Sequence, residues 1–387
     1  MHSEKKDKKV IAAGHICLDI TPDLELDQEN RQIRGELLAP GKLLRIGKAE
    51  VSAGGSVVNT GIGIKRMGGN VELMGSVGKD EFGRIVLSQM EKYGVGTESI
   101  THSEKASTAY SIIFAPPGTD RIIFHYEGTN AWFGEEDIDF KKLEDASLFH
   151  FGYPPLMRGM YENTGEKFIR LLRTVKETGT AVSVDTAMFE EESDAGREDW
   201  DSILRQSLPL TDFFMPSAEE LCLMLDRKRY HEWLERAGRR DVTEILDIEK
   251  DIRPLAEKLL TYGAGAVVIK CGAKGIYFRS AGKERLVQAG GGIGQQIAVS
   301  WADREAFEKS YRADKVVSGT GAGDTAIAGF ITALLAGEPW QECLHLAAAA
   351  GAMCVGVYDA LSALTPLSKM KEKIKAGWEK IPGKGDD

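Results

Sequence analysis

The sequence has 387 residues and carries 49 Lys+Arg against 59 Asp+Glu, which gives a formal net charge of -10. This acidic balance disfavours nucleic acid as a partner, because affinity for a phosphate backbone comes from clustered Lys and Arg. No stretch approaches the roughly 18 consecutive apolar residues of a membrane-spanning helix, so we expect no membrane partner. Glycine is in excess, at 43 of 387 positions, against the ~7% usual in proteins. Clusters of glycine are therefore the first candidates for a functional site.

The first eight residues are polar and lead into a short apolar stretch that is interrupted by His15. A secretory signal needs an uninterrupted apolar region of about 7–15 residues, so residues 1–8 are predicted to form a solvated tail. The five cysteines include no Cys-x-x-Cys pair. We expect them to be reduced packing residues of a cytoplasmic protein.

Short β-branched and aromatic runs, bounded by Gly, Pro or Asp, predict nine strands. In chain order these are Val10–Ile16, Val71–Val77, Ala109–Phe114, Arg121–Tyr126, Leu148–Gly152, Ala181–Asp185, Phe213–Met215, Ala266–Lys270 and Gly275–Phe278. Apolar residues at three- and four-residue spacing predict seven helices. These are Asn59–Met67, Phe82–Tyr93, Tyr161–Thr178, Ala218–Leu225, Ile252–Tyr262, Thr325–Leu335 and Trp340–Met353. Such alternation predicts a doubly wound α/β fold, with a mostly parallel sheet and helices on both faces.

Two segments break the alternation. Residues 20–50 are polar with only weak alternation, and we predict that they contribute to a small accessory sheet. Residues 226–250 are densely charged with both signs interleaved, which indicates a solvated helical insertion.

The densest glycine cluster reads Ser318-Gly319-Thr320-Gly321-Ala322-Gly323-Asp324-Thr325 and leads into an apolar helical pattern. Small residues let a backbone approach a ligand closely, and the first turn of a helix offers unpaired N–H groups to an anion. A carboxylate beside an anion site is electrostatically unfavourable unless it takes a proton from an attacking hydroxyl. The simpler interpretation, a glycine turn with Asp324 as a helix N-cap, stays open on spacing alone.

Two common nucleotide motifs fit this cluster poorly. A Walker loop needs Lys followed by Ser or Thr, where Asp324-Thr325 stands. A Rossmann fingerprint should follow the first strand, whereas this cluster is near the C-terminus. A nicotinamide-dependent oxidoreductase is therefore disfavoured.

A second cluster, Ser52-Ala53-Gly54-Gly55-Ser56-Val57-Val58-Asn59, precedes the first predicted helix. Paired glycines next to an amide side chain, which both donates and accepts hydrogen bonds, suit the hydroxyls of a polyol. Alone, this cluster is no more specific than a turn.

In combination, the motifs resemble the ribokinase-like (PfkB-type) carbohydrate kinase family over about residues 9–370. The resemblance is carried, in the family's order, by Gly14–Asp19, Ala53–Asn59, Gly75–Gly83, Gly128–Asn130, Pro216–Leu221, Lys270–Gly275 and Gly321–Thr325. It implies an ATP- and Mg²⁺-dependent kinase with a small β-sheet lid, formed by segments of about 20–50 and 100–130. The implied domain is one kinase unit over 9–370, with tails at 1–8 and 371–387.

The resemblance also implies roles for individual residues. Asp324 would be the general base, and the N–H groups of Gly321, Ala322 and Gly323 an anion hole for the transferring phosphoryl group. The implied acceptor-binding residues are Asp19, Gly54, Gly55, Asn59, Asn130 and Asp185. The implied nucleotide-binding residues are Lys270, Gly272, Gly275, Thr320 and Ser217, with Glu220 organising Mg²⁺ through water.

Each of these positions has a structural alternative. Asp19 could form an Asx turn, Asn59 an N-cap, Glu220 a surface position in a first helical turn, and Lys270 a charge at a strand end. Ser318-Gly319 replaces an acidic residue linked in relatives to a monovalent cation, which leaves potassium activation open.

A further departure is the aromatic segment Phe149-His150-Phe151-Gly152-Tyr153, where many sugar kinases have an acidic or polar residue. His150 and Tyr153 could contact the acceptor, or the segment could be core packing. The predicted function is transfer of the γ-phosphoryl group of ATP to a hydroxyl of a sugar-like molecule. The alternatives are a nucleoside kinase of the same fold and a catalytically silent sugar- or nucleotide-binding protein. A homodimer through the lid is also predicted, since exposed strands commonly pair.

Overall fold

The structure, a computed structural model, describes residues 8–24, 40–41, 43, 45–114 and 122–382. Its strands are β1 (Lys9–Gly14), β2 (Cys17–Pro22), β3 (Ala49–Gly54), β4 (Asn70–Gly78), β5 (Ile100–Ser103), β6 (Tyr110–Phe114), β7 (Ile122–Tyr126), β8 (Ala146–Gly152), β9 (Ala181–Val184), β10 (Phe213–Phe214), β11 (Ala266–Lys270), β12 (Gly275–Ser280) and β13 (Glu305–Lys309).

The longer helices are α1 (Ser56–Arg66), α2 (Glu81–Lys92), α4 (Arg158–Glu177), α6 (Trp200–Ser207), α7 (Ala218–Leu225), α8 (Arg227–Ala237), α9 (Arg253–Thr261), α12 (Ala322–Ala336), α13 (Trp340–Cys354) and α14 (Leu367–Lys375). Four short helices complete the set: α3 (Phe140–Leu143), α5 (Asp194–Arg197), α10 (Lys283–Leu286) and α11 (Ile293–Ile297). No helix of the described residues is long and apolar enough to cross a membrane.

The main sheet has nine strands in the order β13-β12-β11-β10-β9-β8-β1-β4-β5. All neighbours are parallel except β12, which is antiparallel to β11 and β13. From β1 the chain moves outward to β4 and β5, then returns to β8 and moves outward on the other side. The topological switch point thus lies between β1 and β8, where open α/β sheets bind their ligands.

The predicted doubly wound fold is confirmed by its two helical layers. Val10 and Ala12 of β1 pack into one core with α1, α12 and α13, while Ile11 and Ala13 pack into a second core with α4, α6 and α9. Because successive side chains of a strand point to opposite faces, β1 is buried on both sides.

A separate four-stranded sheet in the order β3-β2-β6-β7 forms the lid. The segments that belong to this sheet differ from the predicted ones at two places. The predicted first strand, Val10–Ile16, ends at Gly14, and Cys17 already starts a lid strand. Ile100–Ser103 was expected in the lid, but β5 pairs with β4 at the edge of the main sheet. Residues 25–39, 42, 44 and 115–121 of the predicted lid segments lie outside the described residues.

The charged segment 226–250 is less solvated than its composition indicated. Trp233 of α8 is fully buried, and Leu246 is almost so. Arg229 and Arg236, each about one turn from Trp233, lie on the same side of the helix and pair with the buried Asp251 at 3.5 and 3.2 Å, so this face packs against the protein through apolar and charged contacts together.

The prediction of a tail from residue 371 is wrong over its described part. Helix α14 continues to Lys375, and the Trp378 ring stacks on Tyr311 with ring centres 4.7 Å apart. Backbone bonds from Arg312 N to Glu379 O (2.8 Å) and from Ile381 N to Ser310 O (2.9 Å) hold the following residues. An amphipathic helix and a tryptophan supply apolar area that a solvated tail lacks.

Candidate active site

The carboxylate of Asp324 lies in the first turn of α12 and is 4% exposed. Both of its oxygens accept a hydrogen bond. Asn59 Nδ2, from α1, donates to Oδ2 at 3.0 Å, and the Tyr153 hydroxyl, just after β8, donates to Oδ1 at 2.5 Å. The Thr60 hydroxyl reaches the main-chain oxygen of Asp324 at 3.4 Å. Two separate parts of the chain, α1 and the segment after β8, therefore hold this side chain at the switch point.

No side chain caps the N-terminus of α12, although Ala322 N donates to Gly319 O at 3.3 Å. Gly321 is the N-cap residue, has φ +75° and provides no side-chain cap. A Cβ added to Gly321 would lie 2.5 Å from the Ala360 Cβ, so glycine is required there both by conformation and by space. The first-turn N–H groups around Ala322 and Gly323 give this end of the helix a positive potential.

Lys270, at the end of β11, forms an ion pair with Asp185, which follows β9, at 2.5 Å. The two side chains are only 14% and 1% exposed. A Cβ added to Gly323 would lie 3.4 Å from Lys270 Nζ, so the lysine amine is next to the N-terminal end of α12. Lys270 was predicted among the nucleotide-binding residues, and its side chain enters the centre of the site.

Burial raises the pKa of Asp324, although the bonds from Tyr153 and Asn59 and the charge of Lys270 oppose the rise. Burial raises the pKa of Asp185 as well, with Lys270 again opposing it. For Lys270, burial lowers the pKa, but Asp185 and Glu220 outweigh this and the net shift is upward. The lysine therefore stays charged at neutral pH, between carboxylates that hold protons more readily than exposed ones.

Glu220 lies in the first turn of α7, close to the same centre. Its Oε2 accepts from the Thr186 hydroxyl and from Ser217 N, each at 2.8 Å, and Ser217 Oγ accepts from Glu220 N at 3.3 Å. This capping box gives Ser217 and Glu220 a structural role at the start of α7, and the nucleotide-binding role of Ser217 stays a prediction.

We find no group of three or more His, Cys, Asp or Glu that could by itself hold a metal ion within the described part of the chain. One buried oxygen, Asp185 Oδ2, has no hydrogen-bond partner. Few carboxylates and an orphaned oxygen near Glu220 fit Mg²⁺, which retains most of its water and is shared with phosphates.

The acceptor side of the site is formed by the lid. Asp19 of β2 is 8% exposed, and its Oδ1 accepts from the Cys17 thiol at 3.2 Å. A Cβ on Gly54 would lie 2.2 Å from Asp19 Oδ2, and one on Gly55 would lie 2.5 Å from His15 O. A cleft separates the lid from the loop before α12 and is lined by Asp19, Thr21, Ser52, Ile113, Ser318, Thr320 and Tyr358. Asp19 and Thr320 thus share this cleft, with Gly54 beside them.

Asn130 does not belong to the acceptor side. Its Oδ1 accepts from Ile16 N at 3.1 Å, and its Nδ2 donates to Ile16 O at 2.8 Å. The side chain is fully buried and engaged with the turn between β1 and β2. We correct its predicted role from acceptor binding to holding that turn.

Gly272 and Gly275 flank the short turn Gly272–Lys274 between β11 and β12. This turn contacts the charged segment, since Lys274 Nζ bonds to Leu246 O, and a Cβ on Gly272 would lie 2.5 Å from Thr243 Oγ1. The two glycines therefore follow Lys270 closely and lie beside the charged segment.

Two imidazoles of the site were not singled out from the sequence. His125 of β7 and the buried His15 face each other, with Nε2 atoms 3.3 Å apart, and the His15 ring lies 5.7 Å from the Tyr153 ring. A lone histidine in the hydrophobic run Ile122–Tyr126 was the available signal, but its partner 110 residues away could not be read from spacing.

A carboxylate held at the N-terminus of a helix, beside a buried lysine, combines a group that can accept a proton with groups that attract an anion. The chain belongs to the family described as "pfkB family carbohydrate kinase", whose model matches residues 9–366. It is thus a sugar kinase, a phosphotransferase with an alcohol group as acceptor, and its fold is ribokinase-like.

Among its relatives, an uncharacterized sugar kinase of Archaeoglobus fulgidus is 26% identical over 303 residues, 78% of this chain and 98% of that protein. The 2-dehydro-3-deoxygluconokinase of Thermoproteus tenax is 26% identical over 344 residues, 88% of this chain and 90% of that protein. The structure of Arabidopsis thaliana ribokinase complexed with ribose and ATP has a TM-score of 0.68 at 19% identity, and covers 95% of this chain and 99% of that one. That likeness concerns the fold.

Proposed function

We propose that this sugar kinase transfers the γ-phosphoryl group of ATP to a hydroxyl of a neutral polyhydroxy acceptor, with Asp324 as the general base. The observation that carries the proposal is the placement of the Asp324 carboxylate at the N-terminal end of α12, held by Asn59 and near Lys270. ATP as the donor is supported by the ribokinase structure of the same fold, which contains ribose and ATP.

In the proposed reaction the proton of the acceptor hydroxyl goes to the Asp324 carboxylate, and the hydroxyl oxygen forms a bond to the γ-phosphorus. The bond between that phosphorus and the ADP oxygen breaks, and ADP leaves. The N–H groups of Gly321, Ala322 and Gly323 and the Lys270 ammonium stabilise the negative charge on the phosphoryl oxygens. Glu220 and Asp185 would hold Mg²⁺ together with ATP, and the ion would supply positive charge against the phosphates.

The nucleotide is proposed to bind on the Lys270 side, along Gly272 and Gly275, whereas Thr320, which was predicted with them, lines the lid cleft together with Asp19. The acceptor is proposed to bind below the lid, where Asp19, Asn59 and the backbone of Gly54 and Gly55 face it. Asp19 and Asp324 are both carboxylates, and together they favour a neutral molecule with several O–H donors over an anionic sugar acid.

The experiment is an ADP-release assay with Mg-ATP and a panel of neutral hexoses and pentoses, nucleosides and aldonic or 2-keto-3-deoxy sugar acids. We expect turnover with at least one neutral sugar and the weakest response with the acids. Turnover only with a sugar acid would overturn the acceptor class, and turnover only with a nucleoside would establish the alternative acceptor. Thermal stabilisation by a sugar without ADP release would indicate a silent binding protein.

We also propose that two copies associate through the lid. All five residues of the edge strand β7 are exposed, and Ile122, Ile123 and Phe124 are each 45–49% exposed. An edge strand with unpaired backbone groups and large apolar side chains favours pairing with a second copy. A cytoplasmic location remains a proposal, supported by five buried cysteines that are all free thiols.

A further inference from the structure

Tyr153 makes a hydrogen bond to the proposed base, Asp324, and the proposed phosphoryl transfer does not require this bond. Its hydroxyl donates to Asp324 Oδ1 at 2.5 Å, while Asn59 donates to Oδ2. Burial and the nearby carboxylates of Asp324 and Asp185 raise the pKa of Tyr153 well above its ordinary value, so the hydroxyl keeps its proton. Tyr153 can therefore act on Asp324 only as a hydrogen-bond donor.

The tyrosine reaches Asp324 from the side of the lid. Tyr153 directly follows β8, and its ring lies beside His15, which in turn lies 5.1 Å from the His125 ring of lid strand β7. An acceptor bound below the lid must present its hydroxyl to the same carboxylate. Tyr153 thus offers Asp324 the same kind of group as the acceptor does, an O–H donor.

We infer that Tyr153 is a positioning residue that occupies the proton-accepting side of Asp324 until an acceptor displaces it, and that it thereby suppresses phosphoryl transfer to water. The inference rests on the proposed role of Asp324 as the base.

The reaction it suppresses is ATP hydrolysis. A water proton goes to Asp324, the water oxygen bonds to the γ-phosphorus, and the bond to the ADP oxygen breaks, which leaves ADP and inorganic phosphate. A single water gains little by displacing Tyr153, because it makes few other contacts. A polyol gains the contacts to Asp19 and Asn59 at the same time, so its binding energy can be used to move the tyrosine.

The test is Tyr153→Phe, which removes the hydroxyl and keeps the ring. We expect ADP and phosphate release without acceptor to rise about tenfold, since a hydrogen bond to a charged group is lost at the base. We expect the acceptor KM to fall with kcat little changed, because the acceptor no longer competes with a hydroxyl. A purely structural role would lower kcat without raising hydrolysis. If the Phe variant does not fold, Tyr153→Leu is used and must change hydrolysis in the same direction.

The matched control is Tyr262→Phe. Its hydroxyl also donates to a carboxylate, Asp201 Oδ1 at 2.6 Å, but it does so between α9 and α6, in the helical layer. The Tyr262→Phe variant should leave both ATP hydrolysis and phosphoryl transfer to the acceptor unchanged.

A double variant, Tyr153→Phe with Asp324→Asn, should return hydrolysis to the wild-type level or below. Unchanged hydrolysis in Tyr153→Phe, or a rise that persists in the double variant, would overturn the inference. Failure of the proposed function is distinct, since the wild-type protein would then phosphorylate no acceptor of the panel.

Discussion

Asn59 and Asp324 are 265 residues apart in sequence, yet Asn59 Nδ2 lies 3.0 Å from Asp324 Oδ2. This one bond joins the two glycine clusters, because Gly55 precedes α1 and Gly321 precedes α12. Through this contact, an amide that can hydrogen-bond to the acceptor also bonds to the carboxylate that is proposed to deprotonate the acceptor.

The hydrogen bond from Asn59 to Asp324 also leads to a prediction for the pH dependence of kcat/KM. Burial raises the pKa of Asp324, and the Asn59 N–H opposes that rise. The base works only when ionised, so kcat/KM falls as pH drops through this raised pKa. In Asn59→Leu the pKa rises further, and the acid limb should move upward by about one pH unit.

Thr60→Val is the control for that profile, because Thr60 contacts the main-chain oxygen of Asp324 and not its carboxylate. Its acid limb should stay in place. A downward shift of the limb in Asn59→Leu would contradict the assigned pKa effect.

Variants of the Lys270–Asp185 pair should separate its contribution to stability from its contribution to catalysis. Lys270→Met leaves a buried carboxylate unpaired, which should cost about 3–5 kcal/mol in the free energy of unfolding. It should also lower kcat by about 10²–10³-fold, because a charge next to the phosphoryl group is lost. Adding Asp185→Asn should restore much of the stability without the activity, as measured by urea unfolding and ADP release.

Lys176→Met is a control outside the site, since Lys176 pairs with the buried Asp212 at 2.9 Å. It should lower stability and leave kcat unchanged. A Lys270→Met enzyme with nearly normal turnover would exclude the proposed role of the lysine.

The two ends of α12 allow a matched comparison of glycines. Gly321→Ala should lower kcat by at least about 10²-fold, since the added Cβ meets Ala360 and displaces the anion-binding turn. Gly337, at the C-terminal end, has a similar φ of +86°, but the nearest atom to its Cβ would be 3.9 Å away. Gly337→Ala should therefore cost only about 1 kcal/mol of stability and no activity. Equal losses of kcat in both variants would argue against an anion hole at Gly321.

The exposed lid strand β7 leads to a prediction for the oligomeric state. A variant with Ile123→Lys and Phe124→Lys places charges on β7, and it should convert a dimer to a monomer in analytical ultracentrifugation. Lys substitution of the exposed Val287, in α-helical surroundings, is the control. A monomeric wild-type protein would exclude association through the lid.

The sequence predicted the buried elements well because their patterns are strong. Ala266–Lys270 and Ala218–Leu225 match the structure at both ends, since a continuous apolar strand and a capped amphipathic helix leave little ambiguity. The edge strands β5 and β13 of the main sheet were not predicted, whereas the lid edge strand β7 was. Strand β13 reads Glu305-Ala306-Phe307-Glu308-Lys309 and is only partly buried, so its pattern is weak.

In the site, the motifs located Asp324, Gly321 and Asn59, but they did not indicate which atoms meet. Lys270 and Asp185 were placed in separate nucleotide and acceptor sets, whereas they form one ion pair. That pairing depends on β9 and β11 each lying beside β10, which is a property of sheet order. The Tyr153 contact was equally hidden, because an aromatic turn is more often core packing.

The measurement that tests the proposed function most directly is phosphoryl transfer by Asp324→Asn, with the acceptor that gives the highest turnover in the wild-type protein. The amide keeps the shape of the side chain but cannot accept the proton. We predict a loss of kcat of at least about 10²–10⁴-fold with ATP affinity and melting temperature nearly unchanged. A variant that keeps most of its turnover would contradict the assignment of Asp324 as the general base.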